Sequence, residues 1–261
     1  MQEKKESEAA MIFITGDCHQ DYRRLNTQNF PEQKEMTKED YVIICGDFGG
    51  VWAKDGESKE EKHLMDWLEG KPFTTLFVDG NHENFDRLYA YPVELWKGGK
   101  VHKIRPSVIH LMRGQVFEID EKRIFTFGGA SSHDISGGIL DRSDPNFAKK
   151  KKELDREWIS YRINRESWWA QELPSRQEMV EGRRNLDACG NKVDFIVTHC
   201  CASSTQALLG GSLFRPDVAT DYFEELRRTV TFQKWFFGHY HDNRNVNAKE
   251  ILLYEQIIQI A

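Results

Sequence analysis

Short apolar runs that end abruptly in turns containing glycine and a carboxylate dominate the first third of the chain. Such runs, rich in β-branched and aromatic residues and bounded by Gly, are typical of buried β-strands. Between the second and third runs, Leu64, Trp67 and Leu68 recur at helical spacing, which predicts a helix over Ser58–Gly70. Strands that alternate with helices indicate a parallel sheet covered on both faces. The three predicted strands are Met11–Thr15, Tyr41–Cys45 and Thr74–Val78.

The pattern changes in the middle of the chain, where three apolar runs follow one another at short intervals. Runs separated only by short polar turns predict a meander of neighbouring strands. Three more strands are predicted in the last third of the chain. The meander comprises Val108–Met112, Val116–Ile119 and Arg123–Phe127, and the later strands are Val193–Thr198, Lys234–Phe237 and Ile251–Ile260.

The same pattern predicts the domain organisation. Residues 1–10 are polar and charged and lack the apolar core of a signal peptide, so we expect a flexible lead into the first strand. Residues 11–261 are predicted to form a single domain with a helical insertion at about 145–188. In that insertion Trp158, Trp168 and Trp169 lie on one predicted helical stretch, and Pro174-Ser175 marks a stop and restart.

Composition and charge restrict location and partners. No stretch approaches the roughly 18 uninterrupted apolar residues of a membrane-spanning helix, so we expect a cytoplasmic protein without a membrane partner. The formal net charge of −6 disfavours a general affinity for nucleic acid. The basic run Lys149–Lys152 is either a solvated helix start or a local phosphate-binding patch, which leaves a nucleic-acid partner open. Nothing in the sequence indicates the oligomeric state.

Five short motifs carry the candidate chemistry, and each lies at or just after the end of a predicted strand. Alternate residues of a strand face the same way, so the D-x-H and G-H-x-H pairs could each hold one ion. Burying so many polar groups is costly without hydrogen bonds or metal coordination. If these were unrelated core or turn residues, all five motifs would have to occur at strand ends by chance. A metal site is therefore predicted. The motifs are Asp17-Cys18-His19, Gly46-Asp47, Gly80-Asn81-His82-Glu83, Thr198-His199 and Gly238-His239-Tyr240-His241.

Four of the five cysteines lie within two residues of a candidate ligand. Their neighbours are carboxylates and imidazoles, which suit harder divalent metals, whereas thiolate sites usually contain paired C-x-x-C units. We therefore predict reduced cysteines that act as small apolar fillers at strand ends. These four are Cys18, Cys45, Cys200 and Cys201.

The ordered set D-x-H, G-D, G-N-H-E, H and G-H-x-H, which spans Asp17 to His241, resembles the calcineurin-like metallophosphoesterase superfamily. The stretches Gly128–Asp134 and Trp168–Glu172 are similar to a bacterial and phage branch of it. The resemblance implies an α/β fold in which two mixed β-sheets pack as a sandwich flanked by helices, in four layers α/β/β/α.

The resemblance also implies two divalent metal ions, with Mn expected and Fe, Zn, Co, Ni or Mg as alternatives. A bridging carboxylate lowers the repulsion between two such ions, while neutral imidazole and amide ligands leave positive charge to act on the substrate. By position, Asp17, His19 and His241 would bind the first ion, Asn81, His199 and His239 the second, and Asp47 both.

His82 is the implied catalytic residue, placed to protonate the leaving oxygen or steady the transition state. Many members orient this histidine with an acidic residue three positions after the Asp of G-D, but this chain has Gly50 there. Either Glu83 or Asp134 takes that role, or His82 acts mainly as a hydrogen-bond donor to phosphate.

The predicted function is hydrolysis of a small-molecule or exposed phosphoester, monoester or diester, by in-line attack of a metal-activated water or hydroxide. The alternative is a non-catalytic metal-binding scaffold or interaction module that retains the fold, which the intact ligand set disfavours. Possible substrate-binding residues are His133, Asp134 and Arg142, for which a loop cap or a surface arginine is the alternative. Trp168 and Trp169 are interpreted as core residues or as a stacking surface for a nucleobase.

Overall fold

The computed structural model describes residues 9–261. Most of the predicted lead, residues 1–10, therefore lies outside the described residues. The described chain forms fifteen strands and six α-helices. The strands are β1 Ile12–Thr15, β2 Tyr41–Ile44, β3 Thr74–Phe77, β4 Val93–Trp96, β5 Gly99–Arg105, β6 Val108–Leu111, β7 Gln115–Ile119, β8 Lys122–Phe127, β9 Ile139–Leu140, β10 Arg162–Ile163, β11 Phe195–Thr198, β12 Lys234–Phe237, β13 Arg244–Asn245, β14 Glu250–Leu252 and β15 Ile257–Gln259. The helices are α1 Lys59–Glu69, α2 Phe85–Leu88, α3 Phe147–Glu157, α4 Arg176–Ala188, α5 Ser203–Gly210 and α6 Val218–Thr229, with 3-10 turns at Arg23–Leu25, Pro31–Glu35, Ala170–Glu172 and Gly211–Leu213.

The strands form two large mixed sheets and one small ribbon. The seven-stranded sheet has the order β15-β1-β2-β3-β6-β5-β4, and the six-stranded sheet has the order β13-β14-β12-β11-β8-β7. In the first sheet β1, β2, β3 and β6 run parallel, and in the second β8, β11, β12 and β14 do. Parallel strands bring their carboxyl ends to one edge of a sheet, where ligands commonly bind. The ribbon pairs β9 with β10.

The core lies in three layers. Along β1, Ile12 and Ile14 belong to the cluster between the sheets, whereas Phe13 faces outward and packs with Met65 and Leu68 of α1. The outer face of the second sheet packs against residues of α4 and α6. Each central strand is thus buried on both faces, as apolar runs without alternation predict. The predicted α/β sandwich with four layers is confirmed.

Both ends of helix α1 lie where the sequence predicts them. Ser58 is its N-cap and forms a capping box with Glu61, and Gly70 is its C-cap. This helix connects β2 to β3 and so separates two of the motif-bearing strand ends.

The predicted meander is wrong. Strand β6 pairs with β3 in the seven-stranded sheet, whereas β7 and β8 form a hairpin in the other sheet. The predicted single strand Ile251–Ile260 is likewise two strands, β14 and β15, which lie in different sheets. Hydrophobic spacing predicts that a strand is buried but does not identify the partner strand. The hairpin of β4 and β5 was missed because β4 has no buried residue and therefore lacks the apolar run on which the prediction rests.

The stretch 145–188 contains α3 and α4, but residues 158–175 between them are not α-helical. Trp158 has a left-handed backbone with φ of 54° and is 94% exposed, whereas Trp169 is buried. Trp168 and Trp169 immediately precede the 3-10 turn, so the prediction that the tryptophans lie on one helical stretch is wrong. Among residues 9–261, no helix combines the length and the apolar character needed to cross a bilayer.

A buried ionic network holds the end of β3. Asp79 accepts hydrogen bonds from Arg113 Nε at 2.8 Å and from His110 Nε2 at 3.0 Å. Arg113 also donates to the carbonyl oxygen of Gln171 at 2.7 Å. Burial alone would raise the pKa of Asp79, but Arg113 and His110 outweigh it and hold that pKa well below its usual range. The network therefore anchors the backbone two residues before Asn81.

Replacing Arg113 by Met should lower the free energy of unfolding by about 3–5 kcal/mol, because the Asp79 carboxylate would stay buried without its partner. Urea unfolding followed by circular dichroism would measure the change. Arg156→Met is the control, since that side chain is 72% exposed and should leave the unfolding free energy nearly unchanged. Equal stability of the two variants would contradict a structural role for the buried pair.

Candidate metal centre

The five motifs meet at the carboxyl ends of five parallel strands. The structure brings the seven predicted ligands and His82 together there, three strands coming from one sheet and two from the other. Asp17 and His19 follow β1, Asp47 follows β2, Asn81 and His82 follow β3, His199 follows β11, and His239 and His241 follow β12.

Asp47 occupies the middle of this cluster. Its Oδ2 lies 3.6 Å from His19 Nε2, and its Oδ1 lies 3.3 Å from His199 Nε2. Oδ1 also accepts a hydrogen bond of 2.8 Å from the backbone N–H of His82. Burial by itself would raise the pKa of Asp47, but the charge and hydrogen bond of His199 outweigh it and hold the pKa well below its usual range. The two oxygens of one buried carboxylate thus face two different groups of imidazoles.

The first group of donor atoms comes from Asp17, His19 and His241, which lie within 4.8 Å of one another. His241 Nε2 is 3.3 Å from Asp17 Oδ2 and 3.1 Å from His19 Nε2. The backbone N–H of His239 donates to Asp17 Oδ1 at 2.9 Å, which fixes the carboxylate. Two imidazole nitrogens and a carboxylate oxygen therefore converge, a donor set that suits a divalent transition metal.

The second group comes from Asp47, His199 and His239, also within 4.8 Å of one another. Asn81 Oδ1 lies 3.2 Å from His199 Nε2. His199 Nδ1 donates to the carbonyl oxygen of Cys45 at 2.8 Å, which leaves Nε2 to face the cluster. Burial would lower the pKa of His199, but the carboxylates of Asp47 and Asp17 raise it to about 10. A divalent ion would take the place of that proton, so the residues fit a metal site.

Several cluster residues have a backbone that only a minority of non-glycine residues adopt. The φ angles of His19, Asp47, His239 and His241 are 47°, 43°, 72° and 48°. Such left-handed conformations store strain and occur preferentially at functional sites. Here the strained turns direct side chains from the ends of β1, β2 and β12 toward one point.

The glycines of the motifs let the carboxylates approach the backbone. A Cβ on Gly80 would lie 2.0 Å from Asp47 Oδ1, and a Cβ on Gly238 would lie 2.0 Å from Asp17 Oδ1. A larger residue at either position would displace a buried carboxylate, which explains why both motifs begin with glycine.

Ser132 and Glu172 orient Asn81, a role that was not predicted from the sequence. Asn81 Nδ2 donates to Ser132 Oγ at 3.4 Å, and Ser132 Oγ donates to the Glu172 carboxyl at 2.9 Å. Glu172 is 1% exposed, and burial raises its pKa to about 8. The available signal was the pair of extra motifs, Gly128–Asp134 and Trp168–Glu172, which meet here.

Among residues 9–261, no carboxylate forms a hydrogen bond to the His82 ring, although Asp47 lies within 4.8 Å of it. Glu83 accepts hydrogen bonds from backbone N–H groups, that of Phe48 at 2.8 Å among them, and Asp134 pairs with Arg162 instead. A Cβ on Gly50 would lie 2.5 Å from a ring carbon of the buried Phe48 and 2.8 Å from Tyr22 Oη, so an acidic side chain there would clash with packed aromatic rings.

The remaining candidates differ in position. The His133 ring lies 4.4 Å, centroid to centroid, from that of His239 and so borders the cluster. Arg142 is 59% exposed and pairs with Glu166, apart from the cluster. Cys18, Cys45, Cys200 and Cys201 are free and buried, and they belong to none of the three donor groups in the described chain. Burial raises the pKa of Cys18 to about 12, so its thiol stays protonated.

A family model agrees with this arrangement. The model described as calcineurin-like phosphoesterase matches residues 10–243. The chain belongs to this family. The phosphoesterase therefore carries the domain of a phosphoester hydrolase, in a family that depends on a pair of metal ions.

Two relatives of the phosphoesterase are lariat debranching enzymes. Lariat debranching enzyme A of Xenopus laevis is 28% identical over 152 residues, which cover 53% of this chain and 27% of that protein. Lariat debranching enzyme of Danio rerio is 24% identical over 144 residues, which cover 50% of this chain and 24% of that protein. The match thus spans about a quarter of the length of each relative, and it supports phosphoester hydrolysis in general.

Glu172 should make the stability of the metal-free phosphoesterase depend on pH. Its folded-state pKa of about 8 exceeds the ordinary value of 4.5. Its contribution is therefore fully present below the unfolded pKa and is lost as the pH rises through the folded pKa, at up to about 1.4 kcal/mol per pH unit. Arg162 and Asp47, which face Glu172, modify the midpoint in opposite directions.

The measurement is urea unfolding of chelator-treated wild type and Glu172→Gln between about pH 5 and pH 9. The difference between the two proteins removes the contribution of other titrating groups. The wild type should lose stability relative to the variant as the pH rises. A constant difference across the range would show that Glu172 does not titrate in this window.

Proposed function

We propose that this chain hydrolyses a small or exposed phosphoester with two divalent metal ions bound at the candidate centre. The observation that carries the proposal is the buried carboxylate of Asp47, whose two oxygens face His19 and His199 respectively. One carboxylate between two sets of donor atoms suits a pair of ions better than a single ion. Mn is the expected metal, and Fe, Zn, Co, Ni or Mg would also accept these donors.

The proposed assignment follows the two donor groups. The first ion would be held by Asp17, His19 and His241, the second by Asn81, His199 and His239, and Asp47 would bridge them. When bound, such a pair lowers the pKa of a water molecule and offsets the charge of the phosphoryl oxygens. His82, half-buried beside Asp47 and His19, would donate a hydrogen bond to the phosphoryl group or the leaving oxygen. Water attacks phosphorus in line with the departing oxygen. The bond from phosphorus to the water oxygen forms, the bond to the leaving oxygen breaks, and the leaving oxygen takes up a proton to replace the one that the water loses. A monoester gives an alcohol and phosphate, and a diester gives an alcohol and a phosphomonoester.

A nucleic-acid phosphodiester is the second candidate substrate, because two relatives are lariat debranching enzymes by name. The basic run Lys149–Lys152 lies on α3 and offers a surface for it. However, Lys150 and Lys151 pair with Asp144 and Asp155, which offsets part of that charge. A small phosphoester therefore remains the first candidate. The free buried thiols suit a reducing compartment, and we propose the cytoplasm.

Asp47→Ala and His199→Ala should each lower metal-dependent hydrolysis by at least about 100-fold, because each removes a donor from the centre. The assay is turnover of an aryl phosphomonoester and the matching diester, after chelation and again after addition of Mn²⁺. His63→Ala is the matched control, since His63 is an exposed histidine of α1.

Turnover that survives in both variants would contradict the proposal. A wild-type protein that binds two metal ions and hydrolyses neither ester would favour the scaffold alternative. Hydrolysis of a nucleic-acid diester with a steep dependence on salt would favour the second candidate.

A further inference from the structure

Arg162, the first residue of β10, lies against His82. Its Nη2 is 3.4 Å from His82 Nε2, and its side chain is only 15% exposed. A guanidinium stays protonated and only donates, so in this contact His82 Nε2 is the acceptor. The residue that faces the histidine is thus a cation, where the family pattern has a carboxylate.

Asp134 holds the guanidinium in place. Its two oxygens accept from Arg162 Nε at 2.9 Å and from Nη2 at 2.6 Å. Asp134 is 52% exposed, so water weakens this pair and an anionic ligand can compete for it. The hydrogen bonds of the guanidinium in the described chain use Nε and Nη2, which leaves Nη1 open.

Three other cations near Arg162 are paired elsewhere. Arg165 forms a bidentate pair with Asp86, at 3.0 Å and 2.7 Å. Lys54 and Arg142 both pair with Glu166. Of these four cations, Arg162 is the one that contacts His82.

The position of Arg162 is set by the fold. Strand β10 pairs with β9, with Arg162 opposite Ile139. Trp52 also lies beside His82, with 5.9 Å between ring centroids, and packs against Trp169 at 5.7 Å. Arg162 thus contacts His82 from a strand that is paired with β9.

We propose that Arg162 is a substrate-binding residue, whose guanidinium binds the non-bridging oxygens of the phosphoryl group beside His82. A planar guanidinium matches two phosphate oxygens, which an ammonium group does not. In this arrangement Asp134 is a positioning residue that holds the guanidinium until the phosphate arrives. His82 and Arg162 form an anion-binding pair, in place of the histidine–carboxylate pair that Gly50 precludes. The inference rests on the proposed function, because it names how that same site holds its substrate.

The test measures binding of inorganic phosphate to the Mn²⁺-loaded protein by titration calorimetry. Arg162→Gln should raise the dissociation constant about 10- to 100-fold. Arg162→Lys keeps the charge but loses the planar pair of donor nitrogens. Its dissociation constant should lie between those of the wild type and Arg162→Gln. Asp134→Asn should change the dissociation constant by less than about 5-fold. Arg165→Gln, a control three residues away, should leave the dissociation constant unchanged.

Kinetics with aryl phosphate monoesters of different leaving-group acidity complete the test. If Arg162 binds phosphoryl oxygens, Arg162→Gln should lower kcat/KM by a similar factor for every leaving group. A loss that grows with leaving-group pKa, with phosphate binding unchanged, would overturn the inference and assign Arg162 to the leaving oxygen.

Metal content and circular dichroism of each variant verify that it is folded and loaded. If the wild type and Arg162→Gln bound phosphate equally tightly, the role of Arg162 would be overturned and the proposed function would stand. Wild-type, metal-loaded protein that neither binds phosphate nor hydrolyses an ester would instead overturn the proposed function on which it rests.

Discussion

The structure depends on the burial of two carboxylates, Asp17 and Asp47, where strands from both sheets end. A buried carboxylate is tolerated only when hydrogen bonds and positive charge surround it. Here backbone N–H groups of His239 and His82 donate to these carboxylates, and imidazoles face them. The seven-stranded sheet supplies both carboxylates and His19, and the six-stranded sheet supplies His199 and His241, which also face them. The sandwich and the candidate metal centre are therefore two consequences of one constraint.

The same constraint explains the unusual backbone. Strained turns at His19, Asp47, His239 and His241 are unfavourable by themselves, and they persist because strands and hydrogen bonds hold them from several sides. Glu83 contributes by accepting the N–H groups of Phe48 and Gly49, immediately after Asp47. Such a turn orients its side chain in advance, so a bound ion need not reorganise the chain.

The segment between α3 and α4 supports the centre from outside. Glu172 reaches Asn81 through Ser132, Gln171 binds the buried Arg113, and Trp169 packs on Trp52 beside His82. Arg162 belongs to the same segment. A stretch without α-helix or long strands is thus tied to the site by polar contacts, and the Trp168–Glu172 motif is explained by these contacts.

The sequence by itself determined the strand ends, helix α1 and the set of polar residues at the site, because local spacing and turn chemistry act over a few residues. Asp17, Asp47, Asn81 and His199 were predicted for this reason. Only the tertiary structure decided that β6 and β7 lie in different sheets, that Glu172 supports Asn81, and that Arg162 faces His82. Those contacts join residues far apart in the chain, and they depend on how sheets and loops pack. Local sequence does not predict that packing, since an exposed arginine and an arginine that contacts His82 have the same sequence signature.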